Sequence, residues 1–271
     1  LSSGNTGVWA SESRVGLQLH VCANASVSAY TTYKLHFDVM NSPRSYGDVH
    51  SPAITVEASG TLVFKRTDVD KTGDALLGVE QGRDPFEVVV PVFTRQDMGQ
   101  STPMATAQNT LTLVFSVSVE ISHNVLSKLT ISGLYGAVLP DSAPRSNISS
   151  SIDLDIVAEQ MQVESVFCDL DGHQDKGTWS TDTASLILQL CSSSNSFSTI
   201  ASGTVITLSI DIFNPDSDQE SPNIEVSADG SLFDIPSVPV ITAGEVLLGV
   251  ADGSDPLKVV VPTFEIKDIG Q

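Results

Sequence analysis

The chain has 271 residues, with 33 Asp or Glu against 13 Lys or Arg, and so a formal net charge of −20. A surface this acidic repels phosphate backbones and anionic headgroups, which argues against nucleic-acid and membrane-surface partners. Hydrophobic residues make up 41% and charged residues only 17%, and no apolar run approaches the ~20 residues of a membrane-spanning helix.

In chain order, Gly7-Val8-Trp9 is followed by Leu17, Leu19 and Val21, spaced by two before Cys22. Tyr33, Leu35, Phe37 and Val39 alternate in the same way and end at Asn41-Ser42-Pro43, a turn signal. After the segment SPAITVEASG from Ser51 and a turn at Asp84-Pro85, Val88-Val89-Val90-Pro91 reads as a continuous apolar strand whose proline belongs at an edge or bulge. Thr110 to Ile121 places Leu111, Leu113, Phe115, Val117, Val119 and Ile121 on one face and Thr112, Ser116, Ser118 and Glu120 on the other. That period of two predicts one long half-buried strand. Further strands are expected at Lys128 to Ile131 ahead of Gly133, over Ile152, Leu154 and Ile156, over Leu186, Leu188 and Leu190, and from Ile206 to Ile212. Turns follow at Asp229-Gly230 and Asp255-Pro256, and Val259-Val260-Val261-Pro262 repeats the earlier apolar run. No segment carries a helical period. Short strands separated by turns, without βαβ alternation, predict an all-β chain of antiparallel immunoglobulin-like β-sandwiches; a closed barrel is the weaker alternative.

The chain repeats itself. Ala75 to Gln100 and Val246 to Gln271 match without a gap at 15 of 26 positions, from Gln100 to Gln271 an offset of 171 residues. Upstream, Gly7-Val8-Trp9 recurs as Gly177-Thr178-Trp179, and Tyr33, Leu35, Phe37, Val39 and Asn41 recur as Ile206, Leu208, Ile210, Ile212 and Asn214. SPAITVEASG recurs as SPNIEVSADG from Ser221. Residues 1–100 are therefore expected to be one copy, incomplete for want of upstream strands, and 101–271 a second copy, with 101–170 its single-copy part and 171–271 the duplicated part. Two organisations fit: a portion of a longer tandem array, or a protein that duplicated once.

The run NTLTLVFSVSVEISHNVLSKLTISGL from Asn109, the Gly-x-Trp segment, the alternating strand ending in Asn, the SPxIxVxAxG turn and the closing DxGQ together resemble the tandem β-sandwich repeats of very large secreted surface proteins of microbial eukaryotes. These include proteins of glycosylated fibrils and flagellar hairs (mastigonemes). The resemblance implies a scaffold role.

Cys22 and Cys191 are repeat equivalents, and the counterpart of Cys168 falls just ahead of Leu1. The natural in-chain disulfide is then Cys168 to Cys191, with Cys22 pairing to an upstream or neighbouring cysteine; closing a loop of about 20 residues stabilises by roughly 3 kcal/mol in the chain-entropy model. Three buried free thiols are the other reading. Asn24-Ala25-Ser26 and Asn147-Ile148-Ser149 are glycosylation sequons beside turns, so Asn24 and Asn147 are the candidate sites for covalent glycans. Asp169, Asp171 and Asp175, and Asp68 and Asp70 with Asp74, are acidic turns able to converge on Ca²⁺, which needs 6–8 oxygen ligands, although neither has an EF-hand pattern and such turns are commonly just solvated.

Catalytic patterns are missing. His20, His36, His50, His123 and His173 form no HExxH or Cys-His spacing, and Gln189 and Ser209 replace His20 and His36 in the second copy. Asp38 and Asp211 recur and read as strand-end or turn residues; Trp9 and Trp179 read as core anchors before sugar platforms. The expected function is a non-enzymatic, secreted, disulfide-bonded and glycosylated subunit whose partner is itself, building an extracellular filament or surface coat through strand edges. The rivals are an adhesin using loop aromatics such as Tyr30, Tyr46 and Tyr135, and a carbohydrate-active enzyme with paired carboxylates.

Overall fold

The computed structural model describes residues 8–10, 16–41, 51–60, 63–122, 126–140, 149–158, 166–193, 196–197 and 199–264. Among these there is no helix, and the chain is all-β. In order, the strands are β1 (Val8–Ala10), β2 (Gly16–Gln18), β3 (Thr55–Ala58), β4 (Phe64–Asp68), β5 (Phe93–Gln100), β6 (Gln108–Val117), β7 (Ile121–Ser122), β8 (Leu126–Ser132), β9 (Ser149–Asp153) and β10 (Asp155–Ala158). Then come β11 (Phe167–Cys168), β12 (Lys176–Ser180), β13 (Ser185–Leu190), β14 (Ser192–Ser193), β15 (Ser196–Phe197), β16 (Thr199–Ile200), β17 (Ile206–Phe213), β18 (Glu225–Gly230) and β19 (Ile235–Pro239). Residues 1–41 form one compact unit and 42–271 another.

In the larger unit, a four-stranded antiparallel sheet runs β10-β17-β6-β5. A seven-stranded sheet runs β19-β18-β8-β13-β12-β9, with β11 on β13. The alternation read from the sequence explains the core. Leu111, Leu113, Phe115 and Val117 of β6 and Ile206, Leu208, Ile210 and Ile212 of β17 bury their side chains in one cluster with Leu129 and Ile131 of β8 and Leu186, Leu188 and Trp179 of the other sheet. Phe115 packs edge-on against Phe93 at 6.4 Å between ring centroids and tilted against Phe167 at 6.3 Å. The chain crosses between sheets at Leu154, because β9 pairs with β12 and β10 with β17.

The expected strand from Thr110 to Ile121 is interrupted. All six of its apolar residues are buried, but the ladder leaves β17 after Phe115↔Ile206, and residues 118–120 bond instead to loops. Ser118 N donates to Val92 O at 3.0 Å and Glu120 N to Leu77 O at 2.7 Å, while Gly203 N donates to Val117 O at 2.8 Å. Val88 to Val90 form no strand, and Val259 and Val260 make only isolated bridges, to Gln219 and Met104.

The smaller unit contains the β1–β2 hairpin, in which Trp9 faces Leu17. Its counterpart in the larger unit, β12–β13, sets Trp179 opposite Leu186. Residues 19–41 carry the alternation of a strand, yet none forms there. A strand needs a ladder partner: the equivalent β17 has β6 on one side and β10 on the other.

Candidate strand-docking interface

β5 belongs to the repeated stretch, with Phe264 to Gln271 as its sequence counterpart, and it lies in the sheet of β6 and β17. Its residues Phe93 to Gln100 pair antiparallel with Val117 to Leu111 of β6, with one register shift between Phe93 and Arg95. On its other edge it runs parallel to the chain at Ile241: Met98 N donates to Ile241 O at 2.9 Å, and Ile241 N to Gln96 O at 2.8 Å. Met98 and Phe93 are buried, so the strand is held by apolar side chains on one face and main-chain bonds along both edges.

Gln100 fixes the end of the strand. Its main-chain N donates to Ser254 O at 3.1 Å. The side-chain Nε2 donates to Gly253 O at 2.9 Å and Lys258 O at 2.8 Å, and Oε1 accepts from Leu257 N at 2.9 Å and from Asn109 Nδ2 at 2.8 Å. Asn109, fully buried, gives its second amide hydrogen to Asn214 Oδ1 at 2.8 Å and accepts from Ser101 N, Ser101 Oγ and Thr102 N. Asn214 Nδ2 donates to Thr102 O and Met104 O. Every polar atom of the three carboxamides is bonded, which makes a buried polar network stabilising and specific in register.

The turn that receives Gln100 has a particular backbone. Leu247 and Val250 exchange N–H···O bonds at 3.1 and 2.9 Å, Gly253 N donates to Val250 O, and Lys258 N donates to Asp255 O. Leu248, Asp252 and Leu257 all have positive φ. The first copy builds the same turn: Leu76 and Val79 exchange bonds at 3.1 and 3.0 Å, Gly82 N donates to Val79 O, and Glu87 N donates to Asp84 O. Leu77, Gln81 and Phe86 are the corresponding positive-φ residues. Asp84 Oδ1 accepts from Gly73 N at 2.8 Å, as Asp255 Oδ1 does from Gly244 N at 2.9 Å. The hairpins ahead of the turns also match, β3–β4 pairing Val56 with Thr67 and β18–β19 pairing Val226 with Val238, each shifting register two residues later.

The sequence-selected residues fall in several places. Cys168 and Cys191 are joined, with Cα atoms 5.2 Å apart, and Cys22 is free and exposed. Asn24 is exposed in a turn with φ of 67°. Asn147, Tyr46, His50 and His123 lie outside the described residues. His20, His36, Asp38, Tyr30 and Tyr135 are exposed, and Trp179 is in the core. Asp211 accepts from Thr110 Oγ1 at 2.6 Å on the strand face.

Of the acidic residues, the structure gathers Asp169 and Asp171 with His173, their ligand atoms within 4.8 Å; Asp175, Asp68 and Asp70 are not in that group. Asp169 is buried and acts as the acceptor of its own turn. Oδ1 accepts from Asp171 N at 3.0 Å and His173 N at 2.9 Å, and Oδ2 from Ser151 Oγ at 2.8 Å with His173 Nδ1 at 2.9 Å. Burial opposes ionisation, but the hydrogen bonds from the His173 backbone and ring and from Ser151 outweigh it and hold the carboxyl below its ordinary value. Lys176 is raised by its hydrogen bond to Asp153, at 2.7 Å.

The carboxamide clasp was not anticipated. Its sequence signals are the Gln that ends DxGQ in both copies and the Asn that ends the alternating run, Asn41 and Asn214; Asn109 has no second copy in this sequence. No protein-family model matches the chain, and no curated protein matches it.

Proposed function

We propose that this protein is a non-enzymatic structural subunit of a secreted, glycosylated extracellular filament or surface coat, built of tandem immunoglobulin-like β-sandwiches that complete one another through strand edges. One comparison carries the reading. Ile206, Leu208, Ile210 and Ile212 are at most 2% exposed, whereas their equivalents Tyr33, Leu35, Phe37 and Val39 are 51–58% exposed. A soluble monomer has no use for such a row: taking an aliphatic or Phe side chain from full exposure to full burial gains ~1.5–3 kcal/mol, and these half-exposed side chains have about half of that still to gain. Side chains at the same alternating positions are covered in one copy by neighbouring strands, so the fitting cover for the other is a strand of the same kind.

The buried Cys168–Cys191 disulfide fits an oxidising compartment. The exposed turn at Asn24 leaves that sequon open to a glycan. Electron microscopy of the native material tests the reading: regular fibres or a periodic coat are expected, and dispersed single particles would refute it.

A further inference from the structure

Six main-chain groups hold the outer edge and the end of β5: Ile241 N and O, Ser254 O, Gly253 O, Leu257 N and Lys258 O. In the first copy the equivalent positions are Asp70, Arg83, Gly82, Phe86 and Glu87. The anchoring bond ahead of them recurs, Val240 N to Ile224 O at 3.0 Å against Val69 N to Ile54 O at 2.8 Å. Among the described residues, Asp70 N and O, Arg83 O, Gly82 O, Phe86 N and Glu87 O have no hydrogen-bond partner. The side chains agree: Leu257 is 0% exposed beneath the Gln100 clasp, and Phe86 is 44% exposed. The turn around Phe86 is thus a preformed socket of known shape, whose occupied form is visible in the same molecule.

The occupant is defined by the same repeat. β5 is FTRQDMGQ, and its equivalent is FEIKDIGQ, Phe264 to Gln271. Phe93 is 9% exposed within the sheet, and Phe264 is 83% exposed. We propose that Phe264–Gln271 of one copy of this chain docks as a strand at the Asp70–Glu87 socket of a second copy. Ile269 takes the place of Met98, and the Gln271 carboxamide bonds Gly82 O, Glu87 O and Phe86 N. The inference rests on the filament reading and adds to it the interface, its register and its head-to-tail polarity. A heterologous contact of this kind propagates without closing, the geometry of a fibre.

The test uses the full chain carrying Cys22→Ser, which removes disulfide cross-linking through the exposed thiol. Sedimentation velocity is expected to show concentration-dependent oligomers. Gln271→Ala should weaken association about tenfold, the loss of roughly one good hydrogen-bond set. Ile269→Asp removes the plug, and Phe86→Asp the socket's apolar floor; at positive φ, Asp is tolerated better than Phe, so the turn itself persists. Each of these two variants should be monomeric alone, and their mixture should form a 1:1 heterodimer and nothing larger. Circular dichroism matching the parent chain establishes that both are folded. A parent chain that stays monomeric at 200 μM (a concentration about tenfold above a Kd of 20 μM), oligomers indifferent to both variants, or a mixture that fails to pair would each overturn the socket. Fibres that persist with Ile269→Asp would overturn it while leaving the filament reading intact, whereas native material without fibres removes that reading whatever the socket does.

Discussion

Gln100, Asn109 and Asn214 join three separate stretches of chain through carboxamides that have no spare donor or acceptor. Removing one member strands the others in a buried site. Asn109→Ala is therefore expected to destabilise by ~2–4 kcal/mol, read as a lower urea midpoint with an unchanged m-value. Asp169 is a similar hub, and its Ala variant should cost ~2–4 kcal/mol because two backbone N–H groups and the Ser151 hydroxyl lose their acceptor. Its carboxyl is lowered in the folded chain, so the unfolded chain takes up the proton first as acid is added. The stabilisation is full above the ordinary aspartate range and is lost as pH falls through the folded value. Denaturant titrations at neutral pH and near pH 3 should show a smaller acid penalty for Asp169→Asn than for the parent.

β17 and the segment Tyr33–Val39 show what a strand requires. Both carry alternating apolar residues ending in Asn, and only β17, flanked by β6 and β10, becomes a strand. Amide exchange should report this directly: Ile206–Phe213 amides protected to near the global stability, and those of Tyr33–Val39 exchanging within seconds. A protected Tyr33–Val39 segment in isolated monomer would contradict the difference. The same pair explains what the sequence discloses. Period-two alternation in Leu111 to Ile121 identified the buried face residue by residue, because facing is a local property of an extended backbone. Where that strand would break depended on bonds from Ser118 and Glu120 to Val92 and Leu77, which no local pattern encodes. Gln100 was visible as the closing letter of a motif, but its work is done against residues more than 150 positions away. The Cys168–Cys191 pair was readable because the repeat fixed which cysteine had no equivalent in the chain.

At the scale of the molecule, a formal charge of −20 sets copies against one another. The docking proposed at the Phe86 turn uses main-chain bonds and apolar burial, neither of which needs low salt. Raising ionic strength shortens the Debye length to about 10 Å at 0.1 M and should strengthen self-association, the reverse of an interface built on opposite charges. Sedimentation in ~0.02 M and ~0.2 M salt distinguishes the two. Reduction of Cys168–Cys191 is expected to lower the stability of the larger unit by roughly 3 kcal/mol, seen as a drop in Tm under reductant.

The placement of β5 also bears on truncation. Phe93 to Gln100 recurs in sequence as Phe264 to Gln271, and in the fold it pairs inside the sheet of β6 and β17. A gene that loses the first copy also opens the sheet of the survivor, leaving Asn109 and the carbonyls of Gly253 and Lys258 facing water or a stranger. Residues 1–100 and the stretch that follows are thus tied by the fold itself, since β6 pairs with a strand that the earlier stretch supplies.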